Sequence, residues 1–285
     1  MRSTLVRRRV LLQVQRYLRH YYSTTSSKHG EALAEYRVTK EDTDDTITDT
    51  VRPYFERQEP LVLRDLLSNN ATNQRAMTEL LPNWDFWQRT VDESTDCHVE
   101  LGGNYASEKS QTVDVPFREF LEYLQYFEDR FGRTPSQSQA EELPQFTDLI
   151  YMAQNDLFDE IHPFIDIPSL TKTLGEQQSL YSTMIWMGPH GCVSPLHFDP
   201  LDNLLLQFVG TKQFLLCPPT SPVPPGNQPN TSSWDPSSLD DENHNSNLQV
   251  QHSTLNAGDA IYIPKKWYHH VATVETSVSI NTWFR

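Results

Sequence analysis

The chain of 285 residues is long enough to bury one large core or two smaller ones. Its apolar content of 37% and charged content of 21% exclude a disordered chain, and the absence of any run of about 18 apolar residues excludes a membrane-spanning helix. The net charge of −15 is uneven, because residues 1–28 hold seven of the 23 Lys and Arg and no acid. The remainder has 16 basic and 38 acidic residues, a charge of −22 that repels nucleic acid and attracts basic protein segments.

Residues 1–28 combine arginines, serines and threonines with an apolar stripe, a composition typical of a mitochondrial transit peptide. We therefore expect a mitochondrial location. A disordered basic tail or a nuclear signal is the alternative, which would leave the protein in the nucleus or cytoplasm. Arginines interrupt the apolar run, so the segment does not read as a secretory signal.

The cysteines are odd in number and far apart, which favours neither a disulfide framework nor a zinc cluster. We expect free, buried thiols in a reducing compartment at Cys97, Cys192 and Cys217.

Residues 29–150 have a mixed pattern that predicts an α/β portion. A short helix is predicted over 49–58, and strands over 60–64 and 98–101. Apolar residues at helical spacing predict a second helix over 116–131, with Pro116 suited to its first turn.

Residues 151–285 are dominated by short strand patterns with turn signals between them, which predicts a sandwich or barrel. Strands are predicted over 180–187, 204–209, 213–217, 260–264, 268–274 and 278–284. Between them, residues 218–251 form a long polar stretch with seven prolines. A loop of this length is either functional or disordered, and the sequence does not say whether it closes over a site.

Three side chains from this region are candidate metal ligands. On a strand, His197 and Asp199 would point to the same face, since alternate side chains share one side. Two imidazoles and a carboxylate make up the facial triad of non-haem iron sites. Further on, His269 alternates with apolar Trp267 and Val271, whereas His270 lies on the other face. We therefore predict His269 as the third ligand.

Several polar residues accompany these ligands in strands that should be apolar. Lys212 follows the predicted metal strand, although hairpin geometry alone would leave it as a solvated turn lysine. Asn281 interrupts an apolar strand, and Ser194 and Asn203 flank the metal strand. Buried Lys and Asn need partners, and a dicarboxylate that chelates iron at one end and pairs with Lys212 at the other would supply them.

In combination, these motifs resemble the JmjC (jumonji C) family of Fe(II)/2-oxoglutarate oxygenases. The similarity covers about residues 50–285 and includes residues 99–105 and 151–159 upstream. It is strongest to the small JmjC-only members, described as protein-arginyl hydroxylases or histone demethylases. The matching motifs are His197-X-Asp199, Lys212, Gly258-Asp259-X-X-Tyr262-Ile263-Pro264, Trp267-X-His269 and Asn281-X-Trp283.

The resemblance implies a mainly β fold, a double-stranded β-helix (cupin or jelly-roll barrel) over 151–285, with the α/β portion of residues 29–150 packed on it. It implies that His197, Asp199 and His269 hold Fe(II), and that Lys212 pairs with the distal carboxylate of 2-oxoglutarate. Hydrogen bonds to this co-substrate are implied for Tyr151, Ser194, Asn203 and Asn281. Glu100 and Trp186 would lie towards the substrate.

The family's chemistry couples O2 and the decarboxylation of 2-oxoglutarate to hydroxylation of an unactivated C–H bond. A carboxylate such as Glu100 and an aromatic face such as Trp186 suit a guanidinium or ammonium group. We therefore predict hydroxylation of a basic residue, arginine or lysine, in a protein substrate. The oligomeric state is left open.

Three other functions remain. Demethylation of N-methyl-lysine uses the same iron chemistry on a methyl group. A non-catalytic cupin would bind metal or a protein partner without turnover. A tRNA-modifying oxygenase is disfavoured by the charge of −22 outside the N-terminal segment.

Overall fold

The computed structural model describes residues 31–102, 111–133, 149–167, 179–236 and 248–285. The predicted targeting segment 1–28 lies outside the described residues, and so does the middle of the polar stretch, residues 237–247.

Strands make up most of the described chain. In chain order they are β1 (Glu31–Ala32), β2 (Glu35–Arg37), β3 (Leu61–Arg64), β4 (Asp96–Leu101), β5 (Gln111–Pro116), β6 (Ile150–Asp156), β7 (Leu180–Gly188), β8 (Val193–Phe198), β9 (Asp202–Val209), β10 (Lys212–Cys217), β11 (Gln251–Leu255), β12 (Ala260–Ile263), β13 (Tyr268–Thr273) and β14 (Ser277–Phe284).

These strands form two sheets. The first has the order β1-β11-β10-β13-β8, and the second the order β2-β3-β12-β9-β14-β7-β6-β4-β5. Consecutive strands from β8 to β10 alternate between the two sheets, and so do β11 to β14. The mainly β, double-stranded β-helix predicted from the sequence is confirmed, and strands β2 to β5 of the N-terminal portion extend its larger sheet.

The helices precede the barrel strands. They are α1 (Asp44–Arg57), α2 (Ala71–Arg75, continued by a π turn over Ala76–Leu80), α3 (Trp84–Thr90) and α4 (Phe117–Phe131). Helix α1 begins five residues before the predicted start, because the Thr43 side chain accepts the Thr46 N–H as its N-cap. Within the described ranges, no helix is long and apolar enough to cross a bilayer.

Two of the apolar clusters among the described residues explain how the helices and the two sheets pack together. The larger one packs the helices against the outer face of the nine-stranded sheet, and it includes Trp87, Phe117 and Leu206. The smaller one fills one end of the barrel between the sheets, with Leu205, Phe214 and Ile263 among its members. These three side chains also form part of a cavity wall, so apolar and polar groups meet inside the barrel.

The described part of the long polar stretch is ordered against the barrel. Ser232 N–H donates to Leu196 O at 2.9 Å, Phe198 N–H donates to Asn230 O at 2.9 Å, and Thr231 bridges to His197. Strand β8 is the last strand of its sheet, so this segment covers an otherwise open edge. The disordered reading of the stretch therefore does not hold for residues 218–236.

Candidate functional site

The three predicted metal ligands converge at one place. His197 on β8 and His269 on β13 are opposite partners in an antiparallel pair, so their side chains point to the same face. Their ring centroids are 4.2 Å apart. The Asp199 carboxylate lies 4.0 Å from His197 Nε2 and 3.7 Å from His269 Nε2. One ligand atom from each residue lies within 4.8 Å of the others.

Asp199 reaches this cluster by a different route from the one expected. Strand β8 ends at Phe198, so Asp199 lies in the turn before β9 and does not alternate with His197 on one strand. Its backbone carbonyl accepts the Lys266 N–H at 2.8 Å, which fixes the turn against the start of β13. The predicted convergence of His197 and Asp199 on one side is present, with Asp199 placed directly after the last residue of β8.

Both imidazoles are held through the nitrogen that faces away from the cluster. His197 Nδ1 lies 2.7 Å from Pro195 O, and His269 Nδ1 lies 3.0 Å from Trp267 O. A carbonyl oxygen only accepts, so each Nδ1 carries the proton and each Nε2 is the unprotonated nitrogen. That tautomer is the one needed for metal ligation through Nε2.

Burial sets the charge of these groups in the absence of an ion. The three side chains are between 5% and 12% exposed. Burial, helped by the neighbouring His269, holds the pKa of His197 well below its usual value, so this imidazole is neutral at physiological pH. Burial also raises the pKa of Asp199, although His269 and Asn203 oppose that shift.

The cluster lines one cavity together with all five residues predicted to hold the co-substrate. The lining comes from both sheets, and the space beside it that is free of protein atoms, open solvent included, is about 390 Å³. The predicted residues that line it, besides the three ligands, are Tyr151, Trp186, Ser194, Asn203, Lys212 and Asn281. Their roles towards 2-oxoglutarate and substrate stay predictions.

Lys212 is the cation of this cavity. Its side chain is 1% exposed, so the solvated hairpin lysine is excluded. Its Nζ lies 3.4 Å from the Tyr151 hydroxyl, and no carboxylate among the described residues forms an ion pair with it. Burial lowers the pKa of Lys212 to about 7. A buried amine with no anion beside it favours an anionic ligand at this end of the cavity.

Tyr151, the neighbour of Lys212, is fixed by close packing. A side chain at Gly188 would place its Cβ 2.6 Å from the Tyr151 ring, so glycine is required there. Tyr151 also packs against Trp186, with ring centroids 5.9 Å apart. The Trp186 Nε1–H in turn donates to Asn281 Oδ1 at 2.9 Å.

The two predicted substrate residues lie in different places. Trp186 lines the cavity, whereas Glu100 on β4 lies outside the lining residues. Glu100 pairs in register with Tyr151, so it faces the same side of the sheet one strand further out, where it accepts a hydrogen bond from Thr112.

Gln154 is a lining residue that the sequence did not reveal. It is exposed and has a φ of +53°, which is unusual for a residue other than glycine. Strand β6 has a register shift between Met152 and Asn155. The Asn155 side chain makes two hydrogen bonds to the His98 backbone on β4: its Oδ1 accepts the His98 N–H, and its Nδ2 donates to the His98 carbonyl. No glycine or proline marks this bulge, so the sequence carried no signal for it.

The donor set fits a ferrous ion. Two neutral imidazole nitrogens and one carboxylate form the facial triad that leaves positions open for small ligands. Asn203 Oδ1 is a second indication, because it is buried in the cavity and no hydrogen-bond partner is found for it among the described residues. Such an atom suits contact with a group that the cavity would bind.

Comparison with known proteins agrees with this geometry. The family profile of the cupin-like domain matches residues 47–285. The chain is 32% identical over 197 residues to Jumonji C domain-containing protein 5 of Drosophila melanogaster, which covers 65% of this chain and 46% of that protein.

Two further relatives carry names that refer to lysine demethylation. Lysine-specific demethylase JMJ30 of Arabidopsis thaliana is 29% identical over 246 residues, 82% of this chain and 52% of its own length. Lysine-specific demethylase 8 of Xenopus tropicalis is 34% identical over 145 residues, 47% of this chain and 32% of its own length. The chain thus spans about half or less of these relatives' length. We conclude that this chain belongs to the JmjC-domain cupin-like family of Fe(II)- and 2-oxoglutarate-dependent oxygenases.

Proposed function

We propose that this protein hydroxylates a basic side chain, arginine or lysine, of a protein substrate, with Fe(II) bound by His197, Asp199 and His269. The observation that carries the proposal is the presence of this triad and the buried, anion-free Lys212 in one cavity. Together they match the two ends of 2-oxoglutarate, whose oxo-acid end chelates a metal and whose distal carboxylate seeks a cation.

Lys212 would bind and orient the distal carboxylate. In a low-dielectric site an ammonium–carboxylate hydrogen bond is stronger than in water, and here no protein carboxylate among the described residues competes for it. The Tyr151 hydroxyl, which lies 3.4 Å from Lys212 Nζ, would contact the same carboxylate. Bound iron with 2-oxoglutarate and O2 would supply the oxidising power for C–H hydroxylation.

Apolar side chains would keep the cavity dry. Leu205, Phe214, Ile263 and Val271 line it between the polar residues. Exclusion of water strengthens the ionic contact at Lys212 and protects a reactive centre from side reactions.

A basic substrate is favoured by charge. The chain outside residues 1–28 carries −22, which would raise the local concentration of cationic segments. Trp186 offers an aromatic face in the cavity, and Glu100 offers a carboxylate one strand further out. An aromatic face and a carboxylate are the groups that bind guanidinium or ammonium.

The test is incubation of the purified protein with Fe(II), 2-oxoglutarate and a library of Arg- and Lys-containing peptides, followed by mass spectrometry. We expect succinate formation and the gain of one oxygen atom on a basic residue. Succinate formation without oxygen on any basic peptide would contradict the substrate class. Absence of succinate under all conditions would favour a non-catalytic cupin.

Demethylation of N-methyl-lysine is the second candidate, and the names of two relatives favour it. Methylated peptides in the same assay would lose a methyl group and release formaldehyde. A hydroxylase would instead leave the methyl groups in place.

We also propose that residues 1–28 direct the protein to mitochondria, because of their basic, acid-free composition. A fluorescent fusion of the full chain should co-localise with mitochondria, and replacement of the arginines by glutamine should abolish this. Nuclear fluorescence would support the alternative.

A further inference from the structure

A four-residue turn between β12 and β13, Pro264–Trp267, touches two of the three metal ligands. The Lys266 N–H donates to the Asp199 carbonyl at 2.8 Å. The Trp267 carbonyl accepts the His269 Nδ1–H at 3.0 Å. The position of this turn therefore sets both the Asp199 backbone and the orientation of the His269 ring.

The conformation of the turn needs external support. Lys266 has a φ of +66°, a left-handed conformation that residues with a Cβ rarely adopt. Such a conformation persists where surrounding contacts fix it. The side chains of Lys265 and Lys266 are exposed, so these contacts come from elsewhere.

The support comes from the end of helix α1. Gln58, the residue after the helix, has a φ of +54°, and its carbonyl accepts the Trp267 Nε1–H at 2.9 Å. Its amide donates to the Tyr262 hydroxyl at 3.1 Å. That hydroxyl donates to Asp202 Oδ1 at 3.1 Å, and the same oxygen accepts the Lys265 N–H at 3.0 Å.

We propose that these bonds of Gln58, which we name the Gln58 anchor, make Trp267, Tyr262 and Gln58 positioning residues for the metal site. Trp267 is 8% exposed, and Tyr262 and Asp202 are buried beside it. The anchor joins the end of a helix of the N-terminal portion to the turn that precedes the metal-binding strand β13, across more than 200 residues of sequence. The inference rests on the proposed function only in so far as it requires that the triad binds a metal ion.

The decisive variant is Trp267→Phe, which keeps an aromatic ring but removes the N–H that reaches Gln58. Its matched control is Trp87→Phe, because Trp87 is fully buried and its Nε1–H also donates to a backbone carbonyl, that of Leu81, at 2.9 Å. Both changes remove one indole hydrogen bond from the interior. Trp87, however, lies in the larger apolar cluster, which packs the helices against the nine-stranded sheet, and it does not line the cavity.

The measurement is the affinity of the full chain for Co(II) alone, by calorimetry, together with the visible absorption spectrum of bound Co(II). We expect Trp267→Phe to weaken Co(II) binding by about tenfold and to change the spectrum, as the loss of support to a ligating histidine does elsewhere. With Fe(II), kcat for 2-oxoglutarate turnover should fall, while KM for 2-oxoglutarate stays near the wild-type value because Lys212 is untouched. Trp87→Phe should lower Tm and leave the Co(II) affinity and spectrum unchanged.

An unchanged Co(II) affinity and spectrum in Trp267→Phe would overturn the inference, and so would an equal loss of affinity in both variants. If Trp267→Phe does not fold, Tyr262→Phe decides instead, with an expected loss of about threefold in Co(II) affinity. Wild-type affinity in Tyr262→Phe would then count against the anchor. Failure of the wild-type protein to bind Co(II) would defeat the proposed function itself, which separates the two results.

Discussion

The metal end of the cavity and its Lys212 end differ in how far the protein satisfies its own polar groups. At the metal end, each histidine has its Nδ1 bonded to a carbonyl, so the rings are oriented before any ion binds. At the other end, Lys212 has a tyrosine hydroxyl at 3.4 Å as its hydrogen-bond partner, and burial has lowered its pKa to about 7.

The difference teaches which end is organised in advance and which depends on its ligand. Histidines held by carbonyls lose little conformational freedom when a metal binds. A buried lysine without an anion destabilises the protein until a carboxylate arrives, so part of the binding energy there comes from removal of that penalty. The two ends should therefore respond differently to substitution.

Removal of a metal ligand should give the largest effect. His269→Ala is expected to reduce Fe(II) or Co(II) affinity by more than about a hundredfold, beyond the loss caused by a supporting residue alone, and to abolish 2-oxoglutarate turnover. The matched control is His270→Ala, since His270 is the adjacent histidine, is 1% exposed and does not line the cavity. Calorimetric metal titration checks both variants. Metal binding retained by His269→Ala, or lost equally in His270→Ala, would remove His269 from the triad.

Substitution of Lys212 should weaken binding of the co-substrate and leave metal binding nearly unchanged. Lys212→Met keeps the length of the side chain but removes its charge, so KM for 2-oxoglutarate should rise by about 30-fold or more. Metal affinity should stay within about twofold, because Lys212 contacts Tyr151 and none of the ligands. Steady-state succinate assays and metal titration measure the two quantities. If KM is unchanged, Lys212 does not bind the co-substrate.

The pH dependence of KM for 2-oxoglutarate should also distinguish the Lys212 end of the cavity from the metal end. With the pKa of Lys212 at about 7 in the ligand-free protein, the amine loses its charge above pH 7, and binding of the co-substrate dianion then requires the amine to take up a proton from solvent. KM for 2-oxoglutarate should therefore rise by up to about tenfold per pH unit above pH 7. Lys212→Met should show no such rise, and a wild-type KM that is flat from pH 6.5 to 8.5 would contradict the lowered pKa.

The same pKa has a consequence for stability, with a definite sign. Burial lowers the folded-state pKa of Lys212 below its unfolded value, so between about pH 7 and 10.5 the unfolded chain binds more protons. The contribution of Lys212 to the free energy of unfolding should thus increase with pH over this window. Denaturant unfolding of wild type and Lys212→Met should diverge with pH, and parallel curves would argue against a buried, titrating amine.

Much of this architecture could be predicted from the sequence, because strand patterns and motif order are local properties. The barrel strands from β7 to β14 that were predicted agree with the structure to within two residues, and His269 was separated from His270 by alternation alone. The short strands β1, β2 and β5 were not predicted, since edge strands of two to six mostly exposed residues carry no apolar signal. The N-cap at Thr43 was overlooked as well.

What the sequence could not supply was geometry set by distant contacts. The Asp199 carbonyl accepts the Lys266 N–H, 67 residues later in the chain, a contact that a local sequence pattern does not reveal. The position of Glu100 outside the cavity lining depends on its register with Tyr151. The burial of Lys212 depends on the opposite sheet, so hairpin geometry alone predicted the wrong environment.

The smallest effect is expected at Gln154, an exposed residue of the cavity lining that we take as its rim. Its side chain is exposed at the cavity and its φ is +53°, a conformation that glycine adopts freely and alanine does not. Gln154→Ala and Gln154→Gly remove the same contacts, so both should raise KM for a peptide substrate by a few-fold and leave uncoupled 2-oxoglutarate turnover unchanged.

The two Gln154 variants should differ in stability. Gln154→Gly should be more stable than Gln154→Ala by about 1 kcal/mol, because the left-handed conformation at this position strains an alanine but not a glycine. Denaturant unfolding measures this difference in stability, and peptide hydroxylation kinetics measure the expected rise in KM for the peptide substrate. Equal stability of the two variants would mean that the β6 bulge relaxes without Gln154. A fall in uncoupled turnover would mean that the rim and the metal end are coupled, contrary to the separation inferred from their contacts.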